Sequence, residues 1–201
     1  KTTNGYAKVP NCFAQMTQPD NVDYLIVPST TSSNRRYVPI GFMNSDVKSS
    51  NLVMIVPNAT LYHFGIMTSN VHMAWMRAVC GRLEMRYSYS NTIVYNNFPW
   101  PLLRDGVDYG GQASENSVSS VAENIKAKIE KTAQAILDAR AKYPDSSLAD
   151  LYDPLTMPPE LRKAHAANDA AVMEAYGFDK SLTESEIVAE LFKRYAELTR
   201  R

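Results

Sequence analysis

Glu84 and Arg86 stand two residues apart in the run Cys80-Gly-Arg-Leu-Glu-Met-Arg-Tyr-Ser-Tyr-Ser90, and together they have the chemistry to read a G·C base pair. A guanidinium donates twice to guanine O6 and N7, while a carboxylate accepts from cytosine N4. The polar-aromatic composition of the run predicts extended backbone, and a strand of period two sends both side chains to one face. The competing reading is an exposed ion pair, which is common on protein surfaces and contributes little. Residue type and spacing leave both readings open.

Other chemistries find less support. His63, His72 and His165 are the only histidines, and no two sit at metal-ligand spacing, so each reads as a packing or surface residue. Cys12 and Cys80 form neither a disulfide framework nor a metal motif, and neither has a histidine placed by sequence to activate it. No glycine-rich phosphate loop occurs. Asn96-Asn-Phe-Pro99 echoes the Asn-Pro-Pro-aromatic motif of amino-methyltransferases, but it lacks the double proline and follows no glycine-rich cofactor strand. The pairs Asp105/Asp108 and Asp150/Asp153 read as turn and cap residues. The expectation is a chain with no catalytic, cofactor or metal site of its own.

Composition sets the frame for these residues. The chain has 201 residues, 45% hydrophobic and 21% charged, as expected of a globular protein with one ordinary domain plus a smaller one, or two small ones. No apolar run approaches the roughly 20 residues of a membrane span. Lys1 leads directly into polar residues, so no signal peptide is expected, and the absence of an initiator Met reads as an internal piece of a longer protein. The sparse cysteines fit a reducing cytoplasm. Net charge is zero, yet residues 1–113 hold nine Lys/Arg against six Asp/Glu, and the remainder twelve against fifteen. That basic excess permits a nucleic-acid face, provided residues such as Arg35, Arg36, Lys48, Arg77 and Arg82 cluster.

The elements that must position these groups change in texture near residues 104–120. Before it, short strands are expected over 22–27, 37–38, 40–43, 52–56 and 61–67, bounded by Pro, Asn and Gly. One helix is expected over Asn70–Leu83, capped by Thr68 or Ser69, with Val71, Trp75 and Ala78/Val79 as its apolar stripe. It stops near Gly81 and feeds directly into the Glu84/Arg86 segment. A further strand is expected from Ile93 to Phe98, closed by Pro99-Trp-Pro101, and Tyr87, Tyr89, Tyr95, Phe98 and Trp100 read mainly as core.

After Gly110-Gly111 the pattern is all-helical. Val121, Ile125, Ile129, Ala133, Ile136 and Arg140 follow helical spacing from a capping-box start at Ser120 to about Tyr143. Leu148, Leu151 and Tyr152 read as anchors in a loop. Pro158-Pro159 opens a second helix that Gly177 stops, and Thr183-Glu-Ser-Glu186 begins a third with Ile187, Leu191, Tyr195 and Leu198 inward. The fold class is therefore α+β: a β-rich domain with one central helix over residues 1–110, then a small all-helical domain over 111–201.

Several long blocks resemble one family. They are Ile55-Val-Pro-Asn-Ala-Thr-Leu-Tyr-His-Phe-Gly-Ile-Met-Thr-Ser69, His72-Met-Ala-Trp-Met-Arg77, Cys80-Gly-Arg-Leu83, Tyr87-Ser-Tyr-Ser90 and Ile93-Val-Tyr-Asn-Asn-Phe-Pro-Trp-Pro101. They resemble the C-terminal part of MmeI-like DNA methyltransferases, the single-chain type IIL restriction–modification enzymes and their methyltransferase-only relatives. Ser147-Leu-Ala-Asp-Leu-Tyr-Asp-Pro154, Met157-Pro158, Ala164-His165, Asn168-Asp-Ala170 and Ala175-Tyr-Gly177 resemble the helical domain that closes those proteins.

The resemblance implies the second part of a target-recognition domain plus a helical tail. The parent would be an S-adenosylmethionine-dependent adenine-N6 methyltransferase, with or without a nuclease. The implied partners are double-stranded DNA and the methyltransferase domain of the same polypeptide. It also implies base-specifying roles for Glu84, Arg86 and Ser88, for Asn51 and Leu52, and for a third position near Ser29. Glu84 and Arg86 would then read one C·G pair jointly. Asn51 has two readings, a bidentate contact to adenine N6 and N7 or a strand-entry cap. Arg35, Arg36, Lys48 and Arg82 are candidates for backbone phosphates, which fix register without specifying sequence. The tail would clamp the duplex or brace the recognition sheet, and its acidic balance favours bracing. Two rival readings remain: a non-catalytic nucleic-acid-binding or scaffold module without base specificity, and an unrelated hydrolase whose site the sequence does not reveal.

Overall fold

A computed structural model describes residues 18–102 and 120–200. Cys12, the Asp105/Asp108 pair and the expected boundary at Gly110-Gly111 lie outside the described residues. In the first sheet, β1 (Tyr24–Pro28) lies between β3 (Gly41–Met43) and β4 (Val53–Pro57), antiparallel to both, with Leu25 opposite Phe42 on one side and Val56 on the other. β2 (Thr30–Thr31) belongs to a second sheet, in which β6 (Arg86–Ser88) is central between β2 and β5 (Gly81–Leu83). A single residue, Ser29, separates β1 from β2, so the chain steps from one sheet to the other without a loop.

Helices occupy two segments expected to be extended. Leu61–Met67 is a helix, α1, although its apolar run reads equally as a strand. What decides it is a capping box in which His63 Nδ1 accepts from the Thr60 backbone N–H at 3.1 Å. Histidine is an unusual residue at that position, so the start signal is easy to miss. α2 (Asn70–Val79) is capped by Ser69, which accepts from His72 N–H, and its C-cap is Cys80, next to the Gly81 where a stop is expected. The expected strand at Ile93–Phe98 is instead a π-helical turn, Asn91–Tyr95, whose Val94 carbonyl accepts from Trp75 Nε1 at 3.0 Å. Tyr37 and Val38 are buried in irregular backbone rather than in a strand. The N-terminal half therefore has two helices and a π-turn where one helix was expected.

The tail follows its pattern more closely. α3 (Ser120–Ala141), α5 (Pro159–Ala175) and α6 (Glu184–Thr199) are long helices, and the loop between the first two holds a single helical turn, α4 (Leu148–Leu151). Ser147 with Asp150 and Thr183 with Glu186 form capping boxes, and Gly177 takes the left-handed φ of +65° that ends α5. Ile129, Ala133, Ile136, Arg140, Ile187 and Leu191 are buried as expected, whereas Val121 and Leu198, at the outer ends of their stripes, are exposed.

Buried residues from both halves form one core. Gly65 in α1 lies so close to α3 that a Cβ there would fall 2.6 Å from Ile129 Cγ2 and 3.2 Å from Ala133 Cβ. The buried Asn168 amide of α5 donates to the Gly65 carbonyl at 2.7 Å, and its oxygen accepts from Thr132 Oγ1 at 3.0 Å. Asp169 accepts from Tyr37 OH at 2.7 Å and from Asn70 N–H at 2.8 Å. Burial raises its carboxyl, and these two donors with Arg36 oppose the rise. Arg140 reaches across to the Ile40 carbonyl at 2.8 Å.

His72 and His165 are sealed in this core, where burial holds the pKa of each down at about 3. His72 Nε2 shares a hydrogen bond with Tyr89 OH, and His165 Nε2 shares one with Tyr152 OH.

Two predictions follow from this packing. Gly65→Ala gains about 0.5–1 kcal/mol of helix propensity but forces the helices apart at a cost of about 1–3 kcal/mol, so denaturant unfolding should show a net loss. The histidines stay neutral when folded and titrate near 6.5 when unfolded. Their contribution to stability is therefore complete above pH 6.5 and declines as pH falls toward 3, by up to about 1.4 kcal/mol per unit for each. Unfolding midpoints at pH 7.5 and 5.5 should differ in that direction.

Candidate nucleic-acid interface

Leu83 pairs with Arg86, Arg82 with Tyr87 and Gly81 with Ser88, so β5 and β6 form a hairpin with only Glu84 and Met85 in its turn. The expected single strand is thus folded back on itself. Glu84 and Arg86 meet around the bend rather than by strand alternation, with Arg86 Nη2 at 3.1 Å from Glu84 Oε2. Their side chains are 77% and 51% exposed. An ion pair this exposed is worth at most about 1 kcal/mol, so it preorganises both groups yet separates at little cost when better partners arrive.

Glu84 also has a left-handed φ of +56°. The other non-glycine residues with positive φ among those described are Asn21 and Asn58, a type that tolerates this region. A glutamate there costs about 1–2 kcal/mol that glycine would avoid. The strain sits in the exposed turn of the hairpin, at a residue whose side chain is not packed against the core.

The other expected base-reading positions converge on the sheet junction. Ser29 N–H donates to the Leu52 carbonyl at 3.1 Å, and the Ser29 carbonyl accepts from Tyr89 N–H at 2.9 Å. This backbone staple ties the exposed Asn51-Leu52 turn to the end of β6. Pro28 opposite Val53 and Thr30 opposite Ser88 hold the two sheets on either side of it. Ser88 alternates with buried Tyr87 and so shares the open face of the hairpin with Arg86. Asn51, Leu52, Ser29, Ser88, Arg86 and Glu84 therefore occupy one continuous edge. Thr30, exposed and paired with Ser88, belongs to this edge although no sequence motif singled it out.

The candidate phosphate ligands divide. Lys48 lies three residues before Asn51 and pairs with Asp20 at 3.3 Å. Arg82 stacks its guanidinium 4.0 Å from the Tyr87 ring centre, on the hairpin face opposite Arg86. Arg35 donates to the Ala149 carbonyl, and exposed Arg36 lies 3.8 Å from Asp169, so both face the tail. With Arg77, which is clamped by both Glu184 oxygens, they line a cleft of about 430 Å³ at the seam between N-terminal half and tail. Sequence proximity did not reveal that division. Among the described residues no group of three His, Cys, Asp or Glu could hold a metal, and no helix is long and apolar enough to cross a membrane.

The strand junction presents exposed polar side chains, and helices pack against the sheets that carry it. Two family models match: the target recognition domain of MmeI over residues 1–102 and the C-terminal domain of MmeI over residues 121–201. The chain belongs to the MmeI family. It is 36% identical over its full 201 residues to DNA methyltransferase A of Bacillus subtilis (strain 168) and spans 21% of that protein. It also matches a solved structure of the type IIL restriction–modification enzyme MmeI in complex with DNA, with a TM-score of 0.83 and 44% identity, covering 100% of this chain and 24% of that one. The chain thus spans between a fifth and a quarter of the length of these relatives.

Glu84→Gly removes the left-handed strain and should raise unfolding stability by about 0.5–1 kcal/mol, while Glu84→Val should lower it by about 1 kcal/mol or more. Thermal unfolding of the two variants checks the order Gly above Glu above Val.

Proposed function

We propose that this chain is the sequence-reading module of a bacterial S-adenosylmethionine-dependent adenine-N6 DNA methyltransferase of the restriction–modification type, acting in the cytoplasm. In this reading residues 1–110 form the second part of the target-recognition domain and 111–201 the helical C-terminal domain. The duplex lies against the edge from Asn51 to Glu84, and the methyltransferase domain of the same polypeptide completes the cleft. The observation that carries the reading is the solvent-facing Glu84–Arg86 couple at the hairpin tip, continuous with Asn51, Leu52 and Ser88. The full-length similarity to an enzyme solved in complex with DNA supports it.

Glu84 accepts from cytosine N4 while Arg86 donates to guanine O6 and N7 of the same pair. Asn51, Leu52 and Ser88 address the neighbouring positions. Lys48 is placed to neutralise a phosphate beside the reading edge, whereas Arg82, Arg35 and Arg36 serve phosphates farther from it.

The methyl donor belongs to the rest of the polypeptide. No described glycine lines the arginine cleft or the apolar cavity beside β4, so neither offers the glycine-rich turn that such a cofactor requires. The described residues do not fit that cofactor.

The test is methylome sequencing with the full-length protein, comparing the native sequence with the double variant Glu84→Lys, Arg86→Asp. The reversed pair keeps the net charge and can re-form across the turn, so the hairpin survives. Lysine now donates to guanine and aspartate accepts from cytosine with the strands exchanged. The methylated motif should change from C to G at one position. An unaltered motif in an active double variant would remove the assignment. A module without base specificity predicts instead that affinity falls uniformly with salt for every duplex, with no sequence preference at any ionic strength.

A further inference from the structure

Met85 is 76% exposed at the second position of the hairpin turn, held between the two charged residues of the reading couple. Nothing in the turn calls for methionine, since two-residue turns favour Gly, Asn and Asp. Leu83, cross-strand from Arg86 and so on the same face, is 52% exposed, and Leu52 beyond the staple is 72% exposed. Apolar side chains therefore alternate with polar ones along the edge assigned to DNA. The major groove offers one apolar feature to meet them, the C5 methyl of thymine, at the outer edge of the base.

Resting on the base-reading assignment above, we propose that Met85 is a third specificity-determining side chain of the hairpin, packing its thioether on the C5 position of a pyrimidine. The preferred pyrimidine is C5-methylated, and it lies in the pair read by Glu84 and Arg86 or in a pair next to it. Consecutive Cα atoms are about 3.8 Å apart and stacked base pairs about 3.4 Å, so the residue between Glu84 and Arg86 stays within one step of their pair. Methionine has three rotatable bonds and a polarisable sulfur, so it reaches a methyl group from a turn without moving the backbone. Every base pair contains one pyrimidine, so the contact has a defined partner whatever the recognised sequence.

The test uses the full-length protein and duplexes carrying its own motif. The pair read by Glu84 and Arg86 is located by the motif change in the double variant. At that pair and its two neighbours, the pyrimidine is supplied with and without its C5 methyl, as thymine against uracil or 5-methylcytosine against cytosine. Native protein should bind the methylated form roughly fourfold more tightly at one of the three positions, the effect expected from burying one methyl group. Met85→Ala should bring that ratio to one, and Met85→Leu should keep it. A ratio of one at all three positions in the native protein, or an unchanged ratio in Met85→Ala, overturns the proposal. A motif that does not change in the double variant defeats the base-reading assignment itself, whereas a changed motif with no methyl effect defeats only the role of Met85.

Discussion

The Gly65 carbonyl accepts from the buried Asn168 amide, and the hydrogen in place of a side chain at Gly65 lets α1 lie against α3 closer than any other residue would permit. Much of the molecule depends on this approach. The recognition half has two three-stranded sheets and two short helices, with too few layers to enclose Phe64, Ile66 and Met67 unaided. The tail provides the missing layer. It does so with polar atoms as well as apolar ones: Asn168, Asp169 and Arg140 each reach backbone or side-chain partners in the other half. Unpaired, such buried groups would be costly, so the two halves hold each other in one arrangement. The tail thus packs against and braces the helices and sheets of the N-terminal half.

That edge is held by backbone. The Ser29 staple, the Thr30–Ser88 and Pro28–Val53 pairs and the stacking of Arg82 on Tyr87 fix the junction and the hairpin without using Glu84, Arg86, Asn51 or the Leu52 side chain. Strand ends pinned on both sides place exposed groups more firmly than a free loop would, as recognition of base edges requires.

Long periodic segments were legible from sequence. The stripes of α3 and α6, the proline that opens α5 and the glycine that closes it all appear where helical spacing and capping chemistry place them. The α+β class was legible for the same reason. Short apolar segments were not. Leu61–Met67 and Ile93–Phe98 have no periodicity long enough to separate strand from helix, and their conformations depend on Thr60 with His63 and on Trp75 reaching the Val94 carbonyl. At the candidate site, the backbone geometry differs from the one the sequence predicted. A left-handed Glu84 gives no turn signal of the Asn-Gly kind, so the hairpin reads as one strand. The division of the arginines between edge and seam depends on tertiary contacts with Ala149, Asp169 and Glu184, from 107 to 133 residues away in the chain. His72 and His165, by contrast, are the packing residues their isolation suggested.

The backbone staple at Ser29 also bears on how such a module can diversify. Because the hydrogen bonds that set the junction come from main-chain atoms, the side chains it displays are free of structural duty. New combinations at these few surface positions can be tried one after another while the scaffold beneath keeps its shape. On the proposed base-reading assignment, a lineage carrying this architecture drifts from one target to another through viable intermediates, each a folded protein with an altered address.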